Sequence, residues 1–134
     1  MATMVIFDTD ILIDYFLGKE QAREFLFSFE KDRRFLTSVS VMEIYRGARN
    51  KRELDVFKKF FEESFEGVLH ISEEASKLSL ELMETYTLSH GFLTLPDALI
   101  AALAISKNAD LFTGNLKHFS FVQKLKSSLP AYRR

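Results

Sequence analysis

Met4-Val5-Ile6-Phe7-Asp8-Thr9-Asp10-Ile11-Leu12 holds a short, unbroken apolar run that stops abruptly at a carboxylate. A run too short for a helix and apolar at every position reads as a strand buried on both faces, hence a strand of a parallel sheet. From Thr9 to about Leu17, Ile11, Leu12, Tyr15 and Phe16 recur at helical spacing, and Gly18 is the expected stop.

The rest of the chain repeats this alternation. Residues 19–30 form an amphipathic helix with Ala22, Phe25, Leu26 and Phe29 on one face. Phe35-Leu36-Thr37 is a second strand, followed by a helix from about Val39 to Asn50 that residues 51–63 extend or restart. Val68-Leu69-His70-Ile71 reads as a third strand, and Ser72 opens a helix to about Tyr86. After a polar turn through Ser89-His90-Gly91, Pro96 suits the first position of a helix. That helix is apolar on every side from Ala98 to Ile105, so it must be buried centrally. Asp110 to Thr113 is a fourth strand, Asn115 to Phe119 a helical turn, and Phe121-Val122 the expected edge strand. Strands alternating with helices predict an α/β fold: a central, mainly parallel sheet of four to five short strands flanked by helices. No repeat or linker interrupts it, so residues 1–134 are expected to form one domain.

Composition narrows the chemistry. With 134 residues, 47% of them hydrophobic and 28% charged, the chain is neither disordered nor short of a core. No Cys is present, which excludes disulfide scaffolds, thiolate zinc sites and Cys nucleophiles, and fits a reducing cytoplasm. The opening residues are apolar too briefly for a signal peptide or a membrane span. A net charge of −1 argues against a generic polyanion binder and leaves local basic patches at Lys31 to Arg34, Arg46 to Arg52 and Arg133-Arg134. Fourteen Phe and no Trp imply an aromatic core, with any exposed excess marking a protein partner.

Ligands of a parallel sheet sit beyond the carboxyl ends of its strands. Asp8 follows the first strand, Glu43 lies early in the helix after the second, and Asp97 opens the buried helix. Each also has a purely structural reading. Asp8 can cap the first helix, Ser40 to Glu43 matches a capping box, and Asp97 favourably meets a helix dipole. Together, three like charges at one strand edge repel, and a cation would relieve them. Carboxylates without Cys or a spaced His pair suit magnesium or manganese rather than zinc.

Four stretches carry a resemblance. Val5 to Asp14 is similar to the opening of PIN-domain ribonucleases, particularly VapC-type toxins of toxin–antitoxin pairs. Glu43-Ile44-Tyr45-Arg46-Gly47-Ala48, Pro96-Asp97-Ala98-Leu99-Ile100-Ala101-Ala102 and Thr113-Gly114-Asn115 resemble that family's second, third and fourth motifs, in order and at its spacing. The resemblance implies a PIN-like domain in which Asp8, Glu43 and Asp97 are catalytic, with Asp8 and Asp97 holding Mg2+ or Mn2+. It implies supporting roles for Thr113 and for Asn115, which stands where the family often has a fourth acid. Asn offers a carbonyl oxygen but no charge, which puts a second tightly held ion in doubt.

The implied activity is metal-dependent endoribonuclease hydrolysis of RNA by an activated water, leaving a 5′-phosphate and a 3′-hydroxyl. Arg46, Lys51 and Arg52 are the candidate phosphate ligands, with Arg33-Arg34 as a further flanking pair and His118 near the fourth motif. The implied partners are RNA, a cognate VapB-like antitoxin and a second copy of the chain, without a membrane. Two other readings compete. One is a catalytically degenerate PIN-fold binding module, which Asn115 keeps open. The other is a haloacid-dehalogenase-type phosphohydrolase, which Asp8-Thr9-Asp10 resembles, although Leu12 departs from that family's pattern and its later Lys and acid pair are not recognisable.

Overall fold

β1, Val5–Phe7, has no solvent exposure at any of its three residues and forms the middle of a parallel sheet. The computed structural model describes residues 2–91 and 93–134, so Met1 and Phe92 of the expected 1–134 domain lie outside it. The elements follow in the order α1 (Thr9–Phe16), α2 (Glu20–Phe27), β2 (Arg34–Thr37), α3 (Ser38–Arg46), α4 (Lys51–Ser64), β3 (Gly67–Leu69), α5 (Glu73–Tyr86), α6 (Leu95–Ser106), β4 (Asp110–Phe112) and β5 (Lys126–Ser128). Short 3-10 turns occupy Lys31–Arg33, Leu116–His118 and Ala131–Arg133.

The strand order is β3-β2-β1-β4-β5, and every neighbouring pair is parallel. The chain therefore winds outward from β1 in one direction through β2 and β3, then returns to the other side for β4 and β5. The switch point lies between β1 and β4, whose register pairs Val5 with Asp110 and Phe7 with Phe112.

Alternation along β1 sends its side chains into two layers. Ile6 joins a core built from α5, α6 and β4, including Leu82, Ile100, Leu103 and Leu111. Val5 and Phe7 join a second core built from α1, α2 and α4, including Ile11, Leu26, Phe61 and Phe65. This second layer absorbs most of the aromatic excess. Phe7 sits edge-on to Phe25, Phe29 and Phe65 at centroid separations of 5.7–6.2 Å, a geometry that aromatic quadrupoles favour. α6 is buried along Ala98 and Ile100 to Ala104, as its all-round apolarity predicts.

α1 ends where Gly18 adopts φ +82°, a left-handed conformation that suits glycine at a helix terminus. Three details depart from the sequence reading. Phe121-Val122 is a turn, and β5 forms instead from polar Lys126–Ser128. Val122 is 3% exposed and packs into the α5/α6 core, so its apolarity serves packing, while an edge strand needs only backbone partners. The helix after β2 ends at Arg46 instead of near Asn50, and of the two readings for residues 51–63 the restart holds: α4 begins on Asn50, whose side chain accepts from the Glu53 amide. Pro96 lies one residue inside α6, which Thr94 caps by accepting from the Asp97 amide. Among the described residues, no helix is long and apolar enough to cross a membrane.

Candidate active site at the strand switch point

Asp8 leaves β1 and caps α1. Its Oδ1 accepts from the Thr9 amide at 2.8 Å, and its Oδ2 accepts from the Thr113 hydroxyl at 2.7 Å. Thr113 follows β4 directly, so this second bond spans the switch point. Thr113 Oγ1 also accepts from the Asn115 amide at 3.0 Å, which fixes its proton toward Asp8. One oxygen of Asp8 thus caps the helix, as its structural reading expects, while the other is held by Thr113 at the switch point.

Asp8 is 6% exposed. Burial, then the neighbouring charge of Asp10 and more weakly that of Asp97, push its carboxyl up from 3.8 to about 7, against the two hydrogen bonds that favour its ionised form. Burial likewise raises Asp97, where Thr94 and His118 oppose the shift and Glu43 adds to it. His118 Nδ1 stands 3.4 Å from Asp97 Oδ2, so His118 is a site neighbour rather than a remote surface histidine.

Glu43 is exposed and does not close a capping box. The N-cap of α3 is Thr37, whose hydroxyl accepts from the Ser40 amide at 3.1 Å. Glu43 sits one turn further on and accepts from the Thr9 hydroxyl at 2.7 Å, which also lies 2.9 Å from Ser40 Oγ. One residue after Asp8, α1 thereby reaches across to hold the second acid.

Asp10 completes the acidic group. Burial raises its carboxyl, while Arg133 opposes the shift. Its Oδ2 accepts a long bond of 3.4 Å from Asn115 Nδ2, and its Oδ1 is buried without a hydrogen-bond partner. Asn115 therefore stands beside the acids and donates to one of them. Gly114 is the close approach that permits this: an added Cβ would overlap the Asp10 carboxylate and the Arg133 guanidinium.

The donor set fits a hard divalent cation. It is all oxygen, it holds mutually repelling carboxylates, and one buried oxygen is orphaned. Among the described residues no group of three or more acidic or histidine side chains is assembled to hold an ion, so the fit is one of donor chemistry.

The expected basic flank is only partly present. Arg34 is 7% exposed and structural: its Nε and Nη1 donate to the Ser64 and Phe29 carbonyls at 2.7 and 2.6 Å, and its guanidinium lies 4.9 Å from the Phe27 ring centroid. Arg33 donates to the Thr3 carbonyl. A guanidinium already spent on buried carbonyls is not available to a phosphate. Lys51 pairs with Asp55 at 2.9 Å. Arg46 is exposed one turn beyond Glu43, and Arg52 lines a groove with Glu43.

A buried hub beside the acids escaped the sequence reading. Asp14 accepts from Lys19 Nζ at 2.9 Å, Tyr132 Oη at 2.7 Å, and Arg133 Nε and Nη2 at 3.0 and 2.7 Å. Burial would raise Asp14, but these donors outweigh it and hold the carboxyl below its usual range. The available signal was the i, i+4 spacing of Asp10 and Asp14, which puts both on one face of α1.

A parallel sheet wound outward from its first strand, with Asp8 and Asp10 after β1 joined by Glu43 of α3 and Asp97 of α6 beside the β1/β4 switch point, is the arrangement of a PIN-domain protein. The PIN domain family model matches residues 5–124, and the chain belongs to that family. Within it, the chain is 32% identical over 133 residues to Ribonuclease VapC10 of Mycobacterium tuberculosis, covering 97% of this chain and 98% of that one. It is 33% identical over 122 residues to Ribonuclease VapC1 of Methanocaldococcus jannaschii, covering 86% and 78%. Among solved structures, a toxin–antitoxin complex from Klebsiella pneumoniae aligns with TM-score 0.76 and 28% identity over 90% of this chain and 94% of that one. DNA-bound VapBC from Salmonella typhimurium shares the fold at TM-score 0.82 and 23% identity, covering 95% and 98%.

Proposed function

We propose that the chain is a VapC-type endoribonuclease, the toxin of a toxin–antitoxin pair, that hydrolyses RNA phosphodiester bonds with Mg2+ or Mn2+. The observation that carries this reading is Asp8, buried at the switch point, bridged to Thr113 and crowded by Asp10 and Asp97. A binding module free of catalytic demand gains nothing from clustering like charges there.

Asp8 and Asp97 would hold the ion, which when bound polarises the phosphate and lowers the pKa of a water. Thr113 keeps the Asp8 carboxylate turned into the crevice. Glu43, oriented by Thr9, accepts a proton from the attacking water. The water oxygen bonds to phosphorus, the bond to the 3′-oxygen breaks, and that oxygen is protonated as it leaves. The products are a 5′-phosphate and a 3′-hydroxyl.

The expected partners are an antitoxin and a second copy. A groove of about 510 Å³ begins at Glu43 and runs between α1, α3 and α4, lined by Ile13, Phe16, Leu17, Val56 and Phe57. Leu17 and Val56 are 70% and 54% exposed. An apolar segment of an antitoxin laid there would reach the acids with a basic side chain, and the solved relatives include toxin–antitoxin complexes. We place the protein in the cytoplasm as one domain.

The test is cleavage of total RNA by purified protein with Mg2+ or Mn2+, with excess EDTA, and with Asp97→Asn. Discrete cuts with 5′-phosphate ends, lost in EDTA and in the variant, are expected. Absence of both cleavage and Mn2+ binding would overturn the nuclease in favour of the binding module.

A further inference from the structure

The Asp14 hub holds two cations against a cavity that opens beside the acids. The cavity, about 480 Å³, is lined by Lys19, Gln21, Gly114, Leu129, Tyr132 and Arg133. Gly114 belongs to both places: its α-carbon lies under the Asp10 carboxylate and forms part of the cavity wall. The cavity therefore continues the crevice along the face of α1 that carries Asp10 and Asp14.

Arg133 is anchored by one edge only. Its Nε and Nη2 donate to Asp14 Oδ2, while Nη1 lies over Gly114 on the side of the acids. Lys19 is held at Asp14 Oδ1, and its side chain remains 55% exposed. Asp14 itself is 3% exposed. One buried carboxylate thus fixes two cationic side chains that both line the cavity, with Arg133 Nη1 also meeting the Asp10 edge. Such an arrangement pre-orders a guanidinium and an ammonium that would otherwise lose rotamer freedom on binding an anion.

We propose that Arg133 and Lys19 form a phosphate subsite that holds the RNA backbone one step from the acidic crevice, on the Gly114 side. This rests on the nuclease reading above and adds where the strand runs: past Gly114 and along α1. Arg46 and Arg52, beyond Glu43, lie toward the other flank. A polyanion entering a crevice of carboxylates needs fixed cations beside them, and Arg133 is already oriented at the Asp10 edge.

Binding of a short single-stranded RNA of mixed sequence, measured by fluorescence anisotropy in EDTA, tests the subsite without cleavage. Arg133→Gln is expected to weaken binding about fivefold and to lower the salt slope by about 0.7, the share of one phosphate contact on a single strand. Lys19→Gln should act in the same direction, with circular dichroism checking that the variant is folded, and Arg133→Lys should recover part of the loss. In cleavage, the two Gln variants should raise KM and leave kcat within about twofold. Wild-type affinity and salt slope in both Gln variants would overturn the subsite, as would wild-type protein that binds no RNA. Cleavage that persists in such variants would leave the nuclease standing. An intact subsite in a protein that neither cuts RNA nor binds Mn2+ would instead remove the nuclease alone.

Discussion

Asp8 stores an electrostatic cost that a cation or a proton relieves. The folded chain keeps its proton to about pH 7, whereas the unfolded chain releases it near 3.8. Between those values the folded state binds more protons, so in metal-free protein stability falls as pH rises through that window. The ceiling on this loss is on the order of 4 kcal/mol. Urea unfolding in EDTA at pH 4.5 and 7.5 should show the decline, and Asp8→Asn should flatten it while abolishing cleavage. A second prediction concerns Asn115. Replacing it with Asp removes the donor to Asp10 Oδ2 and adds a like charge beside it. Asn115→Asp should destabilise the metal-free protein by about 1 kcal/mol and tighten Mn2+ binding by titration calorimetry. At this scale the position of Asp8 was legible because it ends the readable apolar run of β1, and those of Glu43 and Asp97 because each lies in the first turns of a readable helix. Asp10, Asp14 and Arg133 were not, since their meeting depends on how the turn at Ala131–Arg133 folds back onto α1. Arg34 misled for the converse reason: a charged residue beside another looks solvated until the fold buries it.

Among the elements, α6 shows how much of the core was readable. An all-round apolar helix has nowhere to lie but between layers, and it packs against α5 and the sheet with Ala101, Ala102 and Ala104 fully buried. The small side chains bring the α6 backbone close to its neighbours. Ala102→Leu should overpack this layer and cost about 1–3 kcal/mol, read as a lower urea midpoint with an unchanged m-value. β5 was misread because hydropathy reports burial, whereas its pairing with β4 runs through backbone groups and a Lys126–Asp110 ion pair at 3.8 Å, none of them apolar. The break between α3 and α4 illustrates the same limit. Hydropathy shows only a polar stretch from Arg49 to Glu53 there, and the Asn50 cap and Gly47 set the boundary. Asn50→Ala should destabilise the protein by about 1 kcal/mol through loss of that cap, measured by thermal unfolding.

Over the whole molecule, the parallel sheet followed from counting alternations, and the strand order did not. Nothing in the apolar pattern states that β4 returns to the far side of β1, yet that return creates the crevice. The groove between α1, α3 and α4 carries the whole-molecule prediction. Val56→Glu, at an exposed position of the groove wall, should leave the melting temperature within about 2 °C, since surface changes cost little. It should also abolish co-purification with a co-expressed antitoxin of the kind proposed above. Retained co-purification would move the antitoxin to another face.

The bond from Thr113 to Asp8 joins residues 105 positions apart. While the chain is being synthesised, β1 emerges early and the strand that completes its pocket emerges late. A growing chain therefore carries its acids apart on the ribosome, itself an RNA machine, for most of its elongation. The pocket assembles only as β4 docks, so a nuclease of the kind proposed above would be completed only when the molecule is nearly whole.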